Sequence, residues 1–366
     1  VTGRAVAIEE RVALAPLTTL GIGGPARWFM RATAGADVEQ AHAWSVAQGV
    51  PLVVLGGGSN LVVADAGVDA LVLAIAIRGC VLADDGEVVE VTAGAGEPWD
   101  DVVAAVVESG GAGLECLSGI PGRAGGAPVQ NIGAYGQEVA GTLARVTAFD
   151  RMTGAFVSLA PEACAFGYRQ SRFKGADAGR FVICEVALRA PKGAPTTTYA
   201  DVAAAIERAG GVPTVGRVRE TVLAIRRRKG MVTDVADPDT ASVGSFFMNP
   251  VVAESTAERV ASIAGARVPA YPQADGRVKL PAAWLIERAG IAKGDHEGAV
   301  GVSTKHTLAL VNRGGATAAA LVRFASTVAR RVEDRFGVRL RPEPVFLGFE
   351  SGAGNEDVDY LLGAHD

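Results

Sequence analysis

Between Gly119 and Gly136 the chain runs Gly-Ile-Pro-Gly-Arg-Ala-Gly-Gly-Ala-Pro-Val-Gln-Asn-Ile-Gly-Ala-Tyr-Gly. Six glycines and two prolines in this stretch exclude both a regular helix and a central strand. The expectation is a long, defined loop whose backbone approaches a ligand, with side chains missing where they would block it. Gln130, Asn131 and Tyr135 supply the polar and aromatic groups. Exposed N–H groups without a charge surplus suit a pyrophosphate or the edge of a flavin ring. A Gly-rich surface turn is the plainer alternative, but turns rarely need so many special positions in a row.

A second cradle precedes it. Pro51 to Leu55 is a short buried strand that runs into Gly56-Gly57-Gly58-Ser59-Asn60-Leu61. Successive backbone N–H groups there make an anion nest. No Gly-Lys-Ser/Thr follows, which excludes an ATPase of the P-loop kind. Gly21-x-Gly23-x-x-Ala26 imitates a dinucleotide fingerprint but has no clear strand before it and no ribose acid at the expected distance.

Other function classes fall away on composition. A formal net charge of −5 argues against nucleic acid as partner, and apolar runs such as Ala70 to Ile77 are too short to span a membrane. Val1 to Arg11 lacks a signal-peptide layout, and Cys80, Cys116, Cys164 and Cys184 form no Cys-x-x-Cys pair, which fits reduced thiols in the cytoplasm. The four histidines contain no His-x-x-x-His pair, so no metal site is expected.

The remaining chain reads as alternating helices and strands. Helices are expected at Asp37–Gln48 with Gly49 as stop, Pro98–Ser109, 201–209, Val215–Arg228, Trp284–Arg288 and 316–336. Strands are expected near 71–77 and 87–93, as a hairpin Arg145–Phe149 with Ala155–Leu159, and as an alternating strand Phe181–Arg189. The Pro/Thr-rich break Pro191 to Thr198 suggests a boundary within 191–216, with Tyr199 just after the break. Arg226, Arg227, Arg228 and Lys229 end one helix; they serve equally as dipole caps or as an anion site. Gly244-Ser245-Phe246-Phe247-Met248-Asn249-Pro250 is either a strand end with a turn serine or a serine in a partly dry pocket. Glu343, between Pro342 and Pro344, is pre-oriented by fixed backbone on both sides. Val338 to Gly348 is expected as the last ordered element, with a loose tail from Glu350.

These motifs together, with Tyr168-Arg169-x-Ser171-x-Phe173-Lys174 and Tyr271-Pro272-Gln273-Ala274-Asp275-Gly276, resemble in order the UDP-N-acetylenolpyruvoylglucosamine reductase (UDP-N-acetylmuramate dehydrogenase) family, from about residue 16 to 349. The resemblance implies an α+β protein: the FAD-binding fold of the vanillyl-alcohol-oxidase (PCMH-type) superfamily in two subdomains, plus a C-terminal α+β substrate-binding domain. The corresponding partition is 1–75, with strand 338–349 returning near it, then 76–200, then 215–337. It implies FAD and NADPH as cofactors, UDP-N-acetylglucosamine enolpyruvate as substrate, and a monomeric cytoplasmic enzyme of peptidoglycan synthesis. By motif, Ser245 resembles the proton donor, with Arg169 and Glu343 as its partners. Gly56, Gly57, Gly58, Ser59, Asn60, Leu61, Ile120, Pro121, Gly122, Asn131, Gly133, Ala134 and Tyr135 match flavin-binding positions. Tyr168, Tyr199, Lys229, Asn249 and Gln273 match substrate-binding positions, Tyr199 being the closing tyrosine of the longer subtype. Met248 stands where lysine is more usual, and Arg123–Ala127 varies the middle of the flavin loop.

The residue types suit that chemistry. Reduction at C3 of an enolpyruvyl group leaves negative charge at C2, which needs a fixed cation such as Arg169 and a proton. A serine is a poor acid in water, but an ordered hydroxyl in a dry pocket is competent toward so basic an enolate. Glu343 either orients the enol or is an alternative acid. A sugar-lactone or alcohol oxidase would share the glycine cradles but has no need of Ser245, Asn249 and Gln273. A non-catalytic nucleotide-binding protein would leave Tyr168, Arg169 and Glu343 without a task.

Overall fold

The computed structural model describes residues 7–350, 352 and 355–363. Most of the signal-peptide reading of Val1 to Arg11 lies outside these residues, as does part of the C-terminal tail. The chain forms two compact units. The first comprises Ala26–Gly58 and Asp69–Val232 with the segment ending at Val12; the second comprises Ala13–Pro25, Ser59–Val68 and the chain from Thr233 onward. The partition expected from sequence is finer and drawn at other positions.

In the first unit a four-stranded sheet has the order Glu9–Ala13, Pro25–Ala32, Val68–Ile75, Leu52–Leu55. Its last two strands pair in parallel, Leu52 opposite Leu71. Val68–Ile75 is almost wholly buried, as a strand covered on both faces must be. A five-stranded antiparallel sheet follows, in the order Ala155–Leu159, Leu143–Asp150, Phe181–Pro191, Val88–Gly94, Cys80–Asp84. The expected hairpin is its first pair, with Phe149 opposite Phe156. Phe181–Pro191 does not alternate as expected: Val182 to Cys184 and Val186 to Leu188 are buried in unbroken runs, because both faces are covered. Pro25–Ala32 and Cys80–Asp84 were not foreseen. Two glycines and a proline hide the start of the first, and the second is an exposed edge whose apolar run does not alternate with polar residues.

Helices α1 (Gly35–Gln48), α2 (Trp99–Glu108), α3 (Ala200–Ala209) and α4 (Val215–Arg228) belong to this unit. Gly49 ends α1 in the left-handed conformation, the stop expected of it. Pro98 takes the cap position of α2, one residue outside the helix. Trp99 and Val102, Val103, Val106 and Val107 of α2 enter one core with Val89, Val91, Phe149 and Val186. Val218, Val222 and Ile225 of α4 pack with Val202 and Ile206 of α3 and with Cys116. Burial pushes the Cys116 thiol up to about 12, so it is no nucleophile.

The second unit holds α5 (Glu254–Ala264), α6 (Ala282–Arg288), α7 (Ala318–Phe336) and α8 (Glu356–Leu362). The apolar stripe Leu321, Phe324, Val328 and Val332 of α7 is buried, as its helical spacing predicts. The tail expected to be loose instead forms α8. Val358 and Leu361 lie in the core and the Tyr360 hydroxyl donates to Glu333 Oε2 at 2.6 Å, a one-turn amphipathic pattern too short to detect in sequence. Val345–Leu347 pairs in parallel with Leu61–Val63, 284 positions away at Val345 and Leu61. Among the described residues no helix is long and apolar enough to cross a membrane.

The start of α7 is fixed by two caps. Thr317 accepts the Ala320 N–H at 3.1 Å, and the Asp65 carboxylate accepts those of Ala318 (2.7 Å) and Ala319 (2.9 Å). Both supply partners to N–H groups that the helix cannot satisfy itself. Asp65→Ala should therefore destabilise the protein by about 1–2 kcal/mol. A denaturant titration checks this: the midpoint should fall with an unchanged slope, and an unmoved midpoint would refute the capping role.

Candidate active site

The Gly119–Gly136 segment is a loop, as its composition requires, and it is pinned at both ends. Gly119 has φ +70°, and a Cβ there would lie 2.8 Å from Leu223 Cδ2. Its N–H donates to Asp100 Oδ1 at 2.6 Å, and Arg219 grips the same carboxylate with Nη1 at 2.6 Å and Nη2 at 2.9 Å. Burial pushes the Asp100 carboxyl up, but Arg219 and the Gly119 N–H outweigh it and hold the group below the usual carboxylate range. Further along, the Ala124 N–H donates to Glu97 O and that of Gly125 to Ala95 O, binding the loop to the end of strand Val88–Gly94. This is how Arg123–Ala127 is accommodated: a single 3₁₀ turn at Ala124–Gly126 needs small residues against Ala95.

The far end is tied by Asn131. Its Nδ2 donates to Glu138 Oε2 (2.8 Å) and Gly167 O (3.1 Å), while Oδ1 accepts the Ala140 N–H (3.1 Å). The side chain, expected to meet a cofactor, is thus consumed inside the protein, and Asn131 has only backbone to offer a ligand. Arg169 donates from Nη2 to Gly133 O at 2.6 Å and from Nη1 to Asn131 O at 3.4 Å; Ser171 Oγ donates to Val129 O at 2.5 Å. The Tyr168-Arg169-x-Ser171 segment is therefore sewn onto the loop. Asn131, Tyr135 and Arg169 all have positive φ (45°, 49° and 54°), conformations that non-glycine residues adopt at a cost. Such strain concentrated at one loop marks a functional site. Tyr168 is half-exposed beside the Arg169 guanidinium, 5.3 Å from its ring centroid.

The two glycine-rich segments meet within the first unit. A Cβ on Gly57 would lie 2.7 Å from Gly122 Cα, so only glycine permits this approach. A Cβ on Gly56 or Gly126 would meet nothing within 4 Å, which leaves those backbone faces open to a ligand. Where the two segments meet, small residues replace side chains and leave backbone exposed at Gly56 and Gly126.

Beside the loop, the Tyr199 ring packs edge-on to that of Tyr135 (5.2 Å between centroids), and Lys229 Nζ lies 5.9 Å from the Tyr135 ring. Burial pushes the Tyr135 phenol up. Sequence reasoning missed what holds this group. The buried Glu115 accepts the N–H groups of Gly113 (2.6 Å) and Thr196 (2.7 Å), and Gln137 Nε2 donates to Thr196 Oγ1 (2.9 Å). A carboxylate after Leu114 carries no local signal of a partner 81 positions onward.

In the second unit Ser245 and Glu343 come together through backbone. Phe247 bridges Pro342, the Glu343 N–H donates to Phe246 O at 2.8 Å, and that of Met248 donates to Arg341 O at 2.9 Å. Phe246 and Phe247 are buried, whereas Ser245 and Glu343 are half-buried. Asn60 Nδ2 donates to Glu343 O at 3.4 Å, and the Val345 N–H donates to Asn60 O at 2.9 Å, bringing Ser59, Asn60 and Leu61 to the same place. Asn249 Oδ1 accepts the Ala282 N–H at 2.9 Å at the start of α6, which occupies that end of its amide. Gln273 Nε2 donates to Tyr271 O and Pro272 O in an exposed turn.

The family model described as FAD binding domain matches residues 26–159, and that of the UDP-N-acetylenolpyruvoylglucosamine reductase C-terminal domain matches residues 237–347. The UDP-N-acetylenolpyruvoylglucosamine reductase of Streptomyces coelicolor is 48% identical over 346 residues, 92% of this chain and 89% of its own length. That of Nocardia farcinica is 49% identical over 95% of this chain and 91% of its own. The crystal structure of the reductase from Thermus caldophilus superposes with a TM-score of 0.63 at 26% identity, covering 93% of this chain and 99% of the other.

The cofactor is FAD, and the open backbone at Gly56 and Gly126 fits it. A methyl at Gly57 would force the segment off Gly122. Gly57→Ala should therefore weaken FAD binding by about 1–3 kcal/mol, the usual cost of overpacking, or roughly 5- to 150-fold. The measurement is the flavin-to-protein absorbance ratio after dialysis; a ratio equal to that of the parent protein would show that the approach does not matter.

Proposed function

The chain belongs to the UDP-N-acetylenolpyruvoylglucosamine reductase family, and from that premise we propose that it is an NADPH-dependent flavoenzyme converting UDP-N-acetylglucosamine enolpyruvate to UDP-N-acetylmuramate. Its place is the cytoplasmic stage of peptidoglycan synthesis. The observation that carries this is the match to the reductases across 92% of the chain, with the C-terminal domain's own pattern present. Residues up to 75 and 76–200 are assigned to flavin-binding subdomains and 215–337 to the substrate-binding domain, with strand 338–349 returning near the first.

FAD, when bound, supplies the hydride-transfer chemistry that joins NADPH to C3 of the enol ether. Reduction at C3 leaves negative charge at C2, conjugated with the neighbouring carboxylate. Arg169 stabilises that charge. Its guanidinium is held by Gly133 O and Asn131 O, so it needs no reorganisation as charge develops. Ser245 donates the proton to C2. The buried Phe246 and Phe247 that follow it keep water from its backbone and fix its position. Glu343, anchored to Phe246 O through its own N–H, orients the enolic carboxylate end or restores the Ser245 proton. Tyr168, Lys229, Asn249 Nδ2 and Gln273 Oε1 bind substrate polar groups, and Tyr199 closes over the nucleotide.

Anaerobic absorbance spectroscopy tests the proposal. NADPH should bleach the bound flavin, and the enol ether should then restore the oxidised spectrum. In Ser245→Ala the bleaching should be retained while recovery slows by about 10²–10⁴-fold, the usual contribution of a positioned proton donor. Flavin that NADPH does not bleach would point instead to an oxidase, and recovery at the parent rate in the variant would remove Ser245 from the acid role.

A further inference from the structure

Lys229, proposed above as a substrate-binding group, has a protein partner. Its Nζ lies 3.2 Å from Asp201 Oδ2, with side chains 37% and 54% exposed respectively. Asp201 is in the first turn of α3, two positions after Tyr199, which occupies the cap position of that helix. Lysine, aspartate and both tyrosines therefore form one cluster: the Lys229 ammonium lies near the Tyr135 ring, and the Tyr199 ring stands edge-on to the same ring.

The approach of Asp201 is built into the fold. The strand-to-helix segment ahead of it is anchored at Thr196, whose N–H is accepted by Glu115, whose hydroxyl receives Gln137 Nε2, and whose carbonyl lies 3.6 Å from the Cys116 thiol. Gln137 also accepts the Cys116 N–H at 2.8 Å, so this anchor is continuous with the end of the flavin loop. Only four residues separate Thr196 from Asp201, and Val202 is buried in the core of α3 and α4. Lys229 sits at the C-terminal cap of α4 in that same packed pair. Both charged groups are thus carried by fixed backbone.

We infer that Asp201 is a specificity-setting counter-charge, which holds Lys229 until an anion stronger than a single carboxylate takes it. The fitting ligand is a nucleoside diphosphate, whose two adjacent phosphates outbid one carboxylate for the ammonium. A monoanionic ligand gains little, because it replaces one carboxylate by an equivalent charge. This inference rests on the substrate-binding role proposed above for Lys229 and narrows it to the diphosphate.

The test is calorimetric titration of the full-length, FAD-loaded protein with UDP at low ionic strength, using Asp201→Asn, Lys229→Met and the double variant. Lys229→Met keeps the apolar stem over Tyr135 while removing the charge. Asp201→Asn should tighten UDP binding by about 2- to 5-fold, the range of an exposed ion pair. That gain should vanish in the Lys229→Met background, and Asp201→Glu should restore parent affinity. An equal gain with and without Lys229 would overturn the inference, since Asp201 would then act by general repulsion. Loss of the gain in Asp201→Asn while Lys229→Met still weakens UDP would overturn it too, leaving the assignment of Lys229 intact. If Lys229→Met binds UDP as the parent does, the assignment of Lys229 fails and the inference with it.

Discussion

The Asp100 carboxylate holds the first unit's loop architecture together. One oxygen takes the Gly119 N–H and one arm of Arg219, and the other oxygen takes the second arm. The first turn of α2, the start of the glycine loop and α4 therefore share a single charged group. A bidentate Arg–carboxylate pair fixes orientation as well as distance, which a lone lysine would not. Its partial burial makes it costly to leave half-satisfied, so the three elements are held in one arrangement. Arg226 adds to the same corner through Gly119 O and Met231 O.

From that corner onward the loop is held by side chains turned inward and presents backbone outward. Asn131 spends its amide on Glu138, Gly167 and Ala140, and Arg169 spends its forks on two loop carbonyls. The left-handed conformations of Asn131 and Arg169 are sustained by those bonds. A loop of this length would otherwise lose too much entropy on ordering to serve as a rigid cradle. Its polar side chains therefore serve mainly as the scaffold of the site, and the glycines supply the surface.

In the second unit the same division holds at smaller scale. Ser245 and Glu343 are brought together because Phe246 and Phe247 insert into the core and the adjacent backbone pairs with Arg341 to Glu343. The strand Leu61–Val63 joins Val345–Leu347 on the far side of Glu343. Ser245 and Glu343, separated by 98 positions in sequence, are drawn together through main-chain hydrogen bonds of their neighbours, which do not depend on the identity of either side chain.

Elements with local signals are legible in the residues alone. The spacing of Leu321, Phe324, Val328 and Val332 predicts α7, Gly49 predicts the end of α1, and the glycines and prolines of 119–136 exclude regular structure. The order of short motifs sufficed for the family, since each depends on residue types fixed by chemistry. Only the tertiary structure decided which of those residues are spent internally. Asn131 is taken by the Glu138 carboxylate and two backbone groups, half of Asn249 and the Nε2 of Gln273 by backbone groups, and nothing in their neighbours' identity foretells it. The partners Arg219 for Asp100, Glu115 for Thr196 and Asp65 for α7 were equally hidden, for one physical reason. A hydrogen bond needs two groups within about 3 Å, and which pairs reach that distance is set by how the core packs, at separations of 81 to 254 positions in this chain.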